Sequence, residues 1–153
     1  MKTGTNLSWD EYGIALTKAV RIKSKDRSTQ IGCVIMGPHN EIRSTGYNSF
    51  VRGADDENEA RHERPEKYKW TEHAERNAIY NAASVGVPLR GCRAYISQWL
   101  PCTDCARAII QSGITEVITT DYDLENERWI EEFEKTRQMF RECGVKITII
   151  KDK

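Results

Sequence analysis

An α/β layer fold is what this 153-residue chain predicts, and three observations predict it. Segments with apolar residues at helical spacing alternate with short β-branched runs, and Gly or Pro stands at the junctions. A helical segment also separates each of the last three β runs from the next. Right-handed crossovers of that kind make those three strands parallel. The chain, residues 1–153, has the length of one domain and would bury about 70% of its unfolded surface. No repeat, low-complexity tract or linker divides it.

The elements follow in order. Ser8 can cap a helix reaching to about Lys23, with Trp9, Tyr12, Leu16, Ala19 and Val20 at helical spacing. Ile31 to Met36 is a short apolar run, turned by Gly37-Pro38-His39-Asn40 into a second strand, Glu41 to Tyr47. Val51 to Trp70 is polar and irregular, and a loop of that length is commonly functional. A helix from about His73 to Ser84 is closed by Gly86 and Pro88. Strand Arg93 to Ser97 leads through Pro101 into a helix from about Cys102 to Gln111, stopped by Gly113. Glu116 to Thr119 is a further strand. Glu125 to Glu142 reads as a long amphipathic helix carrying Trp129, Phe133 and Phe140, and Val145 to Ile150 as the closing strand.

Composition narrows the function. Lys+Arg and Asp+Glu are 23 each, so the chain lacks the basic surplus of a protein that grips duplex backbone; no stable nucleic-acid binding is expected. No apolar run approaches the ~20 residues of a membrane span, and Met1 to Asp10 has no signal-peptide core. Five unevenly spaced cysteines make a poor disulfide framework and suit a reducing compartment, so a cytoplasmic protein is expected.

Only Cys102 and Cys105 are closely spaced, in Pro101-Cys102-Thr103-Asp104-Cys105, and His73-Ala74-Glu75 precedes them. One His and two Cys are three ligands, one short of a closed tetrahedral zinc site; an open position is what a catalytic zinc needs. Both cysteines sit where a helix begins, and exposed N–H groups there favour thiolate over thiol. Glu75 lies about 200° round a helix from His73, so it need not ligate and is free to move protons. A lone C-x-x-C is ambiguous between zinc and redox use. Together the two segments match the signature of zinc deaminases.

The wider pattern resembles the cytidine deaminase-like superfamily, and within it the deoxycytidylate (dCMP) deaminases. His73-Ala74-Glu75-Arg76-Asn77-Ala78-Ile79 is similar to that group's HAExNAI. Ser28-Thr29-Gln30-Ile31-Gly32, Gly46-Tyr47-Asn48 and the helix Cys105 to Gly113 are similar to other segments of it. The resemblance implies a three-layer fold with a five-stranded mixed sheet in the order 2-1-3-4-5, flanked by helices. It implies a catalytic Zn²⁺ on His73, Cys102 and Cys105, and hydrolytic deamination of dCMP to dUMP and ammonia with Glu75 carrying the proton.

Substrate contacts are expected outside the metal cluster. Ser24, Lys25 and Arg27 are candidates for the 5′-phosphate, although their spacing alone also suits a solvated helix end. Asn48 resembles the family residue that bonds the sugar, and a plain strand-end turn is the other reading. Tyr122, after the fourth strand, could reach base or phosphate or simply pack. Ala74, Trp99 and Leu100 are expected at the base pocket.

The resemblance also implies regulation, with dCTP activating and dTTP inhibiting, in a homohexamer. Asn48, Arg52, Asp55, Asp56 and Glu63 fall in the matching stretch, where acidic residues would need Mg²⁺ beside a triphosphate or would contact base and sugar. Ser49 and Val51 depart there from the usual Gly and Pro. A deaminase of another base, such as tRNA adenosine, and a catalytically silent nucleotide-binding regulator are the alternatives.

Overall fold

The computed structural model describes residues 6–153; the opening of the polar segment Met1 to Asp10 lies outside them. Helix α1 (Trp9–Val20) starts where Ser8 makes a capping box. Its hydroxyl accepts from Glu11 N at 3.0 Å and the Glu11 carboxylate accepts from Ser8 N at 3.3 Å. The α-helix gives way at Arg21–Lys23 to a 3₁₀ turn, shorter than the helix expected to Lys23.

Strands β1 (Gly32–Met36) and β2 (Ile42–Tyr47) form the expected hairpin. After them the long polar segment is not featureless. It contains β3 (Ser49–Phe50), a 3₁₀ turn (Glu59–His62), the one-turn helix α2 (Lys67–Trp70) and β4 (Thr71–Glu72), with β3 and β4 paired antiparallel. Then come α3 (Ala74–Val85), β5 (Arg93–Ile96), α4 (Thr103–Gln111), β6 (Glu116–Thr120), α5 (Ile130–Cys143) and β7 (Lys146–Ile150). Helix α5 begins five residues later than expected. Asn126 instead bonds the Asp123 carboxylate and the backbone of Arg128, side-chain bonds that compete with helix formation and leave Trp129 at the N-cap.

The main sheet has the order β2-β1-β5-β6-β7, which is the order 2-1-3-4-5 when its strands are counted along the chain. Strand β1 is antiparallel to both neighbours, and β5, β6 and β7 are parallel. Both faces are covered, so β1 is buried along its whole length rather than alternately. Cys33, Ile35, Ala94, Ile96 and Val117 meet α3, α4 and Phe140 of α5 on one face; Val34, Met36, Tyr95 and Ile118 meet Ile14 of α1 on the other. That makes three layers. Among the described residues no helix is long and apolar enough to cross a membrane.

The small residues of β2 and α3 set the position of the site. Helix α3 lies across β2 with Ala74, Ala78 and Ala82 inward, and Gly46 of β2 touches its backbone. A Cβ on Gly46 would stand 2.6 Å from the Ala74 carbonyl oxygen and would also overlap the Ala78 nitrogen. Ser44 Oγ donates to the Ala78 carbonyl at 2.6 Å and Asn77 Nδ2 to that of Tyr47 at 2.8 Å, so the helix's first two turns are held to the strand.

Candidate active site

Two helix starts converge at the end of the sheet. His73 is the N-cap of α3 but makes no capping bond, so its ring turns outward. Cys102 is the N-cap of α4, its Sγ accepting from Cys105 N at 3.4 Å. His73 Nδ1 lies 3.4 Å from Cys102 Sγ and 3.4 Å from Cys105 Sγ. Bond lengths of about 2.05 Å to nitrogen and 2.3 Å to sulfur at a tetrahedral angle imply about 3.6 Å for those separations. Among the described residues this is the group of metal-ligating side chains that could close on one ion.

The electrostatics agree with that fit. The Cys105 thiol donating to Cys102 brings the Cys102 thiol down to about 4, against burial and with help from His73. Cys105 is pushed far upward, first by that same thiolate and then by burial. Its thiolate bond to Cys102 raises His73, although burial opposes it. One thiolate is therefore stable in the bare cluster and a second is not, and a dication supplies the missing counter-charge.

Glu75 stands beside the cluster, 5% exposed. Burial pushes its carboxyl upward, and His73 pulls the other way. His73, Glu75 and Cys102 line a cavity of about 390 Å³, with Cys105 buried behind them.

Of the expected substrate residues, Asn48, Ala74, Trp99 and Leu100 line this cavity, and Ser24, Arg27 and Tyr122 do not. Ser24 Oγ donates to the Asn48 carbonyl at 2.7 Å, and Arg27 forms a two-bond fork with Glu59 at 2.6 and 2.8 Å on the exposed surface. Asn48 itself fastens the approach to β1: Oδ1 accepts from Ile31 N and Nδ2 donates to the Thr29 carbonyl, both at 2.8 Å. Trp99 takes a left-handed backbone conformation, φ 65°, and its buried indole N–H has no partner, with the ring 6.1 Å from that of Trp129. Of the residues expected at an effector site, Arg52 and Asp56 line a second cavity of about 510 Å³, whereas Asn48, Asp55 and Glu63 are not among its walls.

Residues outside the motifs complete the cavity. Glu132 of α5 accepts from Thr103 N at 2.8 Å and Thr103 Oγ1 at 2.9 Å, tying down the start of α4. Arg76 of α3 is bound by Glu72 of β4 at 2.6 Å and lies 3.6 Å from Asp104. Asp104 pairs with both Arg76 and Arg107.

Asp26 lies between the two cavities and lines both. Burial alone would raise its carboxyl; the N–H groups of Thr29 and Ser28 and the Lys67 ammonium outweigh that and hold it low. A group depressed on folding stabilises above its unfolded pKa, and that contribution is lost as pH falls through its folded value. Asp26→Asn is expected to cost about 2 kcal/mol at pH 7. The gap from wild type should be narrower at pH 3, below the ordinary aspartate value of about 3.9, than at pH 7. Urea midpoints at the two pH values check this; equal midpoints at pH 7 would count against it.

Residues 7–121 match the cytidine and deoxycytidylate deaminase zinc-binding region. The deoxycytidylate deaminase of Mus musculus is 36% identical over 144 residues, covering 91% of this chain and 78% of its own. An uncharacterised deaminase of Aliivibrio fischeri is 37% identical over 141 residues, 92% of each chain. In fold, the chain is similar to the dCMP deaminase of cyanophage S-TIM5 solved in apo form. That match has a TM-score of 0.70 and 18% identity, over 98% of this chain and 100% of that one.

Proposed function

This chain belongs to the cytidine and deoxycytidylate deaminase zinc-binding family, and from that premise we propose that it hydrolyses dCMP to dUMP and ammonia. The observation that carries the reading is the convergence of His73, Cys102 and Cys105 beside buried Glu75, with His73, Glu75 and Cys102 lining one cavity. These three side chains would hold zinc, which when bound supplies Lewis-acid activation of water. Glu75 takes a proton from the attacking water, gives it to the pyrimidine ring nitrogen and then serves the leaving amine. We take Ala74 and Leu100, both buried, and Trp99 to wall the base, and Asn48, on the same cavity, to meet the sugar.

The finer regulatory reading concerns the second cavity, which Lys23, Lys25 and Arg52 line together with Tyr47, Asn77 and Tyr80. That mix of cations, amide and rings suits a nucleoside triphosphate accompanied by Mg²⁺. Asp26 and Thr71 wall both cavities, and Thr71 is two residues from His73, which gives an effector a short path to the metal cluster. We take the effectors to be dCTP as activator and dTTP as inhibitor, and the assembly to be a homohexamer.

One assay tests both levels. Ammonia release is measured from dCMP, CMP, cytidine and tRNA, then from dCMP with dCTP or dTTP added, and the same samples are sedimented. Release from dCMP, raised by dCTP and lowered by dTTP in a sixfold assembly, is expected. Release from tRNA or cytidine but not dCMP would overturn the substrate, and indifference to both triphosphates would overturn the regulation.

A further inference from the structure

We propose that the substrate's phosphate is gripped by Arg64 and Arg128, two arginines that meet at Tyr68 on the catalytic cavity, and not by the basic cluster before Gln30. The inference rests on the reading of the substrate as a nucleotide and locates its anion. Besides His73, four cationic side chains line this cavity: Arg64, Lys67, Arg76 and Arg128. Lys67 lies 3.0 Å from buried Asp26, and Arg76 is 2.6 Å from Glu72 and 3.6 Å from Asp104. Arg64 and Arg128 form no ion pair with a carboxylate among the described residues.

One ring brings these two together. Arg128 Nη2 donates to the Tyr68 hydroxyl at 3.3 Å, and the Arg64 guanidinium carbon is 5.9 Å from the centre of the same ring. Arg128 also lies over Trp129, 4.7 Å from its ring, and Trp129 in turn stands against Trp99 of the base wall. Both guanidinium groups thus lie against aromatic rings with their charge left unmatched, on the wall of a cavity that His73 and Cys102 also line. A small dianion is the ligand that two such forks fit.

The cluster expected to do this work is neutralised elsewhere. Arg27 is held by Glu59 and Lys25 lies 3.0 Å from Asp56, so two of the three cations in the run 23–27 are paired with the acidic run 55–59, and none of the three lines the catalytic cavity. Arg64 comes from the long polar segment and Arg128 from the turns before α5. A phosphate between them would tie those two segments across the cavity.

The test compares wild type with Arg64→Gln, Arg128→Gln and Arg27→Gln. It reads kcat/KM on dCMP relative to deoxycytidine, and dCMP affinity by calorimetry. All three positions are exposed, so the folded state should tolerate the changes. Losing a charged partner of the phosphate should lower the dCMP preference about tenfold in Arg64→Gln and in Arg128→Gln, through KM, with affinity falling in step. Unchanged preference and affinity in both, or a loss confined to Arg27→Gln, would overturn the assignment. Wild-type protein that ignores dCMP and deaminates only phosphate-free bases would overturn the nucleotide reading as well. Normal dCMP turnover with unaffected arginine variants overturns this inference alone.

Discussion

Glu75→Gln is expected to lower dCMP turnover by about 10³-fold while the protein keeps its zinc. The amide matches the carboxylate in volume, so the buried position beside Cys33 and Ala74 stays filled. What disappears is the ability to accept a proton and return it. The ligand set of His73, Cys102 and Cys105 does not include Glu75, so metal content should hold at one ion per chain. Cys105→Ser provides the contrast. It removes a thiolate from the donor set and should lose metal and turnover together. Atomic absorption alongside kcat separates the two; near-wild-type turnover in Glu75→Gln would remove this residue from the chemistry.

Gly46→Ala should be a severely damaging single methyl, at about 3 kcal/mol. The added carbon has nowhere to go, because its neighbours are the backbone of Ala74 and Ala78 rather than a side chain that could rotate away. Relief requires lifting the start of α3 off β2, and that start carries His73 and Glu75. Stability and zinc affinity should therefore fall together. The urea midpoint with an unchanged slope is the direct measure. An unaltered midpoint would mean that α3 is not held to the strand as tightly as the contacts imply.

The readable part of the site was the part built from local rules. The metal ligands sit at helix starts, and those starts follow from the apolar spacing of α3 and α4 and from Pro101. Three parallel strands followed from helices standing between them. The late start of α5 was not readable, because Glu125 to Arg128 suit a helix as well as turns do. The choice was made by side-chain bonds from Asn126. Glu132 looked like one of several exposed acids on that helix, and only packing shows it holding Thr103.

Charge shows the division most clearly. By itself the sequence determined an α/β fold and the two short segments, His73-Ala74-Glu75 and Cys102 to Cys105, that supply the His/Cys/Cys set; each segment depends on residues close in the chain. It also displayed a basic run and an acidic run, and in one dimension the basic run looks like a phosphate site. Folding brought Arg27 to Glu59 and Lys25 to Asp56, and left Arg64 and Arg128 unmatched at the cavity instead. Which cations remain free is decided by distances between segments far apart in sequence. Coulomb interactions between exposed groups fade within about 10 Å, so no count of charges along the chain could have settled it.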